Sequence, residues 1–206
     1  VSFLILPNED EIEQIEGWFS LEEGRRLAYL ASTVPPHLAI VELGSWKGRS
    51  TAFLGLGSKA GRMAHVYAVD HWKGSPEHRD LFRDPQASTF PEFKANMKWL
   101  GLDDIVTPIT GKTSEVASTW DKDIGLLFID ADHAYEAVRA DFLGWSPFVV
   151  PGGWVAFHDA GAPGPSRVIE EEVLASEDWY EPFSHPLRHF QKVKGGRARC
   201  RWDRDL

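Results

Sequence analysis

Short apolar runs alternate with segments of helical length along most of the chain, and this alternation limits the fold more than any other feature. Leu38-Ala-Ile-Val-Glu-Leu43, between Pro36 and Gly44, is apolar but for one acid. Similar runs recur at Ala64 to Val69, Ile105 to Thr110, Ile124 to Ile129 and Trp154 to Phe157. An apolar run without polar alternation suits a strand covered on both faces. Between most of these runs lie Ser50 to Lys59, Phe90 to Leu100 and Ala134 to Leu143, each long enough for a helix. Strands alternating with helices predict βαβ units and an α/β, doubly wound, mostly parallel sheet.

Both ends depart from this rhythm. Ser20-Leu-Glu-Glu23 has capping-box spacing and predicts a helix from Leu21 to Ser32, which Pro35-Pro36 ends; residues 1–36 thus read as an N-terminal helical segment. Near the C-terminus a helix is expected from Arg167 to Ala175. Two short strands, Glu181 to Ser184 and Leu187 to Val193, are expected to form an antiparallel edge. The polar stretch from His71 to Ser88, with His71 and His78, is expected to be a lid loop over a site.

Composition narrows the function. A length of 206 residues suits a single domain, 1–206. With 31 acids against 22 bases, the formal charge of −9 opposes a phosphate backbone and argues against nucleic acid as the main partner. No apolar run approaches the roughly 18 residues of a membrane span. The apolar start, Val1 to Pro7, lacks a positive flank and does not read as a secretory signal. One cysteine, Cys200, supports neither a disulfide framework nor a Cys-based zinc site, so a reducing, cytoplasmic setting is expected. Seven acids crowd Glu9 to Glu23 and seven bases Arg188 to Arg204, which reads as two solvated ends able to pair. Most of the nine Trp are expected in the core, Trp145 among them. Homo-oligomerisation is left open.

The turn after the first strand, Gly44-Ser-Trp-Lys-Gly-Arg-Ser50, sits where parallel sheets bind ligands. Its Gly-x-x-x-Gly spacing lacks the pyrophosphate fingerprint, which disfavours NAD or FAD. A tight strand-to-helix connection without a ligand would use the same glycines. The second strand ends in Val69-Asp70, an acid placed to accept from the hydroxyls of a ribose. Together these features point to a nucleoside cofactor without phosphates.

On these residues the chain resembles class I S-adenosylmethionine (SAM)-dependent methyltransferases, which have a Rossmann-like sheet. Glu42-Leu-Gly-x-x-x-Gly-x-Ser50 is similar to the cofactor loop of catechol-type O-methyltransferases. Phe128-Ile-Asp-Ala-Asp-His-Ala-Tyr135 and Pro151-Gly-Gly-Trp-Val-Ala-Phe-His-Asp159 are similar to the bacterial group that includes macrocin-type sugar O-methyltransferases. The resemblance implies a SAM site in which Glu42, Gly44, Ser45, Gly48 and Ser50 surround the methionine end. Asp70 would hold the ribose, Gly111 and Ser114 would lie beside the adenine, and Asp130 would close the site. Trp72 either stacks on the adenine or packs in the core.

Asp130 ends one apolar strand, Asp132 and His133 follow it, and His158-Asp159 end the next. Adjacent strands lie about 4.8 Å apart, so these groups can share one rim. Methyl transfer to an alcohol needs positioning and removal of the hydroxyl proton. His133 is one general base and Asp132 its competitor, although Asp132 also suits a helix N-cap. Asp130 and Asp159 would hold a Mg²⁺ that lowers the hydroxyl pKa. Catechol-type enzymes carry Asn where this chain has Ala160. His158 as the substitute ligand would favour Mn²⁺, Fe²⁺ or Zn²⁺. The expected activity is O-methylation of a hydroxyl on a small molecule, a sugar or natural product. The alternatives are an N-methyltransferase on the same fold and a SAM-binding module without transfer chemistry.

Overall fold

The computed structural model describes residues 4–74 and 87–193. Seven strands form one sheet: β1 (Ala39–Leu43), β2 (Val66–Asp70), β3 (Val106–Thr110), β4 (Ile124–Ile129), β5 (Val149–Phe157), β6 (Trp179–Tyr180) and β7 (Arg188–Lys192), in the order β3-β2-β1-β4-β5-β7-β6. The first five pair in parallel, and β7 and β6 close the sheet antiparallel. β1 and β4 are buried along their whole length, the outcome expected of unbroken apolar runs in a sheet covered on both faces. Chain order reverses at β1, between β2 and β4, and ligands in such sheets bind beyond the carboxyl ends of the strands at that point.

The helices are α1 (Glu9–Glu13), α2 (Leu21–Thr33), α3 (Arg49–Ala60), α4 (Phe90–Trp99), α5 (Thr113–Ala117), α6 (Tyr135–Trp145) and α7 (Pro163–Val168), which a π-helical turn, Ile169–Leu174, prolongs. The predicted capping box is present at α2: the Glu23 amide donates to Ser20 Oγ, and the Ser20 amide donates to Glu23 Oε2 at 3.1 Å. Two apolar layers flank the sheet. One joins α2, α3 and α4 around Leu27, Phe53, Phe93 and Phe128, and the other joins α6 and α7 around Phe142, Trp145 and Phe157.

Several expectations need correction. β5 begins at Val149, five residues before the predicted run, because Pro151-Gly-Gly stays in the strand beside an irregular register. The first edge strand is Trp179–Tyr180 and not Glu181 to Ser184, since Glu181 turns to take both arms of Arg188. Of the described Trp, Trp72 and Trp145 are fully buried, Trp120, Trp154 and Trp179 pack against the core half-buried, and Trp18 and Trp99 are exposed. Two of the seven N-terminal acids, Glu9 and Glu16, pair with Arg25 and Lys47. Most of the expected lid, with His78, and most of the basic tail, with Cys200, lie outside the described residues. Among the described residues, no helix is long and apolar enough to cross a membrane.

Candidate active site

A cavity of about 860 Å³ opens at the carboxyl ends of β1, β2, β4 and β5. Ten of the predicted residues line it: Gly44, Ser45, Ser50, Asp70, Gly111, Ser114, Asp130, Asp132, His133 and His158; Asp159 makes an eleventh. Glu42, Gly48 and Trp72 are outside its wall.

Each of those three has a structural task. Glu42 is fully buried and accepts hydrogen bonds from the hydroxyls of Ser45 (2.7 Å), Ser50 (2.6 Å) and Thr51. Burial pushes its carboxyl up to about 7, against the pull of those hydroxyls. It ties the glycine loop to the first turn of α3. Gly48 caps α3 in the left-handed region, and a Cβ there would meet Met97 Cε at 2.6 Å. Trp72 is 1% exposed and packs on Phe90 and Phe93, so the core reading holds for it and stacking on an adenine does not.

Gly44 explains how the two sequence clusters meet. Its φ is +84°, and a Cβ would lie 2.3 Å from the Asp130 carbonyl oxygen. The β1 turn therefore sits directly on the β4 turn. Asp70 folds over the same loop, accepting from the amides of Ser45 (2.8 Å), Trp46 (3.0 Å) and Trp72 (2.6 Å). A carboxylate has about four lone-pair sites, so three amides leave one for a ligand hydroxyl.

At the other side, Asp130, His133, His158 and Asp159 each offer a ligand atom, all within 4.8 Å of one another. His158 Nδ1 lies 3.0 Å from Asp130 Oδ1 and 3.2 Å from Asp159 Oδ2, and His133 Nε2 lies 3.2 Å from Asp159 Oδ2. Burial alone would lower the His158 pKa, but the hydrogen bond and charge of Asp130, with Asp159 and Glu23, raise it to about 9. For Asp130 burial acts upward, yet the two imidazoles beside it hold the carboxyl below its ordinary value. Phe19 packs on the His158 ring with centroids 5.1 Å apart. The donor set fits a divalent ion: separations of 3.0–3.8 Å between ligand atoms suit bonds of about 2.0–2.2 Å, and two imidazoles favour Zn²⁺, Mn²⁺ or Fe²⁺ over Mg²⁺.

His133, expected as a base, thus stands among the metal-type ligands. Asp132 accepts from the Ala134 amide at 2.8 Å, the local turn that precedes α6. The sequence reading did not assign other parts of the wall, among them Arg49, the 16–19 segment and Asp141. Asp141 is 4% exposed, and burial raises its carboxyl to about 6 despite the Thr113 hydroxyl. Its signal was available, since an acid stands between Val138 and Phe142 on the apolar face of α6.

The sequence profile of the methyltransferase domain family matches residues 41–160, a span that runs from β1 past Asp159. Among curated proteins, the uncharacterized protein y4gI of Sinorhizobium fredii (strain NBRC 101917 / NGR234) is 31% identical over 130 residues, 58% of this chain. This chain spans only 13% of the length of that relative. Among solved structures, the O-methyltransferase NovP has a TM-score of 0.67 at 18% identity, covering 85% of this chain and 81% of its own. The O-methyltransferase from Bacillus cereus, solved in complex with SAH, has a TM-score of 0.63 at 18% identity and covers 90% of each chain. At such identity the likeness is one of fold. The family match spans more than half of the sequence and contains both clusters of the cavity, and the chain therefore belongs to the methyltransferase domain family, on the fold of SAM-dependent methyltransferases.

Proposed function

We propose that the chain transfers the methyl group of SAM to a hydroxyl of a small molecule, with a divalent metal held by Asp130, His133, His158 and Asp159. The observation that carries this reading is the four-residue cluster on the wall of the same cavity as the glycine loop and Asp70. The likeness to O-methyltransferases agrees with it.

A bound ion would supply Lewis acidity, lowering the pKa of an acceptor hydroxyl. The protein's own residues do the rest. Gly44 and Ser45 form the floor of the cofactor side, and the one remaining site on Asp70 accepts from a ribose hydroxyl. Gly111 and Ser114 lie at the end assigned to the adenine. Asp132 is the carboxylate nearest in sequence to the cluster and outside it, so it is the group left to take the acceptor proton while His133 serves as a ligand. Six acids line the cavity, Glu16, Asp70, Asp130, Asp132, Asp141 and Asp159, and they suit a sulfonium and a divalent cation and repel an anionic acceptor.

The test is turnover of SAM with hydroxylated acceptors before and after chelation. Loss of activity with EDTA and its return with Mn²⁺ or Zn²⁺ is expected. Full turnover in chelator would contradict the metal-assisted reading and favour an amine acceptor, whose free lone pair needs no metal.

A further inference from the structure

The cofactor side of the cavity has a donor problem. The hydroxyls of Ser45, Ser50 and Thr51, the polar side chains nearest the start of α3, all donate to buried Glu42. All three are engaged by that one carboxyl. SAM carries an α-carboxylate at its methionine end, and a desolvated carboxylate needs strong donors.

One side chain on that wall is free to supply them. Arg49 is the first residue of α3 and lines the cavity. Its stem crosses Gly17, where an added Cβ would lie 3.3 Å from Arg49 Cβ and 3.4 Å from Cδ. One terminal nitrogen donates to the Gly17 carbonyl oxygen at 3.1 Å, which fixes the guanidinium against the 16–19 segment. Its Nε is buried and has no hydrogen-bond partner. Among the described residues Arg49 forms no ion pair, although acids outnumber bases in the chain by 31 to 22. The other long cation on the wall, Lys112, faces Glu115 at 3.6 Å and is 71% exposed. Lys47 is taken by Glu16 at 2.9 Å. The amino-terminal end of the 12-residue α3 adds its own positive potential at the same place.

We propose that Arg49 holds the α-carboxylate of the methionine portion of the cofactor, an assignment that rests on the SAM-dependent reading above. A guanidinium presents five N–H donors in a fixed fork that matches a carboxylate, and the bond to Gly17 organises it before the ligand arrives. The same cavity carries the acidic cluster, so it offers the zwitterionic cofactor both signs of charge: a cation at Arg49 for the carboxylate and acids for the sulfonium. Binding through this end also places the 16–19 segment, with Phe19 against His158, under the influence of the cofactor.

The experiment is calorimetric titration of wild type, Arg49→Gln and Arg49→Lys with two probes, S-adenosylhomocysteine and 5′-methylthioadenosine. The second keeps the adenine, ribose and sulfur and lacks the amino-acid end. Losing a charge-assisted pair costs about 10–100-fold in affinity, so Arg49→Gln is expected to weaken S-adenosylhomocysteine by that factor and to leave 5′-methylthioadenosine within about twofold. Arg49→Lys, which keeps the cation and loses the fork, falls between. Equal weakening of both probes, or no weakening of S-adenosylhomocysteine, would overturn the assignment. Should Arg49→Gln fail to fold by circular dichroism, the ratio of the two probes in Arg49→Lys decides in the same way. Wild type binding neither probe would overturn the SAM reading itself, together with this one.

Discussion

Glu42 is the residue whose chemistry departs most from its place in a sequence motif. It belongs to the cofactor-loop pattern, yet its carboxyl is enclosed by three hydroxyls and holds its proton to about pH 7. A folded-state pKa raised above the unfolded value near 4.5 means that this group's contribution to stability is full below pH 4.5 and is lost as pH rises through about 7. Glu42→Gln, a neutral mimic of the protonated form, should therefore gain on wild type over that window, by roughly 3 kcal/mol at the top of it. Denaturant unfolding of both proteins at pH 5, 6, 7 and 8 checks this; a constant difference across the series would contradict it. His158 makes the second prediction at this scale. With its pKa raised to about 9 it is protonated at neutral pH, and a metal must displace that proton. Titration of Zn²⁺ at pH 7 in buffers of different ionisation enthalpy should show release of about one proton per ion. Asp130→Asn removes both the main anion that raises His158 and a ligand, so it should reduce the release and weaken metal binding at least tenfold.

At the scale of elements, the site is assembled by turns pressed against each other. Gly44 on the β1 turn touches Asp130 on the β4 turn, and a Cβ on Gly164 of α7 would lie 2.0 Å from the His133 carbonyl oxygen. Gly44→Ala combines a backbone clash with a positive φ and should destabilise by about 3 kcal/mol or more. Gly164→Ala meets backbone at least as closely but without a positive φ, and its clash falls on the carbonyl of His133, so part of its cost should appear as lost metal affinity. Unfolding and metal titration of both variants separate the two effects; equal losses in both readouts would argue against this division. The parallel strands were legible in the sequence because apolar runs such as Ile124–Ile129 leave no other burial for five or six consecutive side chains. The capping box at Ser20 marked α2 to within a residue. The edge was less legible: Trp179–Tyr180 is two residues long, and its position is set by the Glu181–Arg188 pair, a contact across a loop. The candidate site divides in the same way. Asp70, Asp130, His158 and Asp159 stand at strand ends, where topology alone places them, whereas Arg49 and the fourth member of the cluster, His133, depend on which way turns fold.

Across the whole molecule, charge is distributed by function. The −9 of the chain includes the N-terminal acids, of which Glu9 and Glu16 are neutralised by Arg25 and Lys47. Another part lines a single cavity at the point where the strand order reverses. Two apolar layers hold that edge from opposite faces, so a ligand spanning the cavity touches elements of both. The central claim is that this cavity takes SAM and a divalent metal side by side. The most direct measurement is a crystal structure grown with S-adenosylhomocysteine and Mn²⁺, recorded at a wavelength where manganese scatters anomalously. An anomalous peak bounded by Asp130, His133, His158 and Asp159, with the cofactor sulfur facing it across the cavity, is the predicted result. A well-ordered S-adenosylhomocysteine with no anomalous peak at those four residues would contradict it.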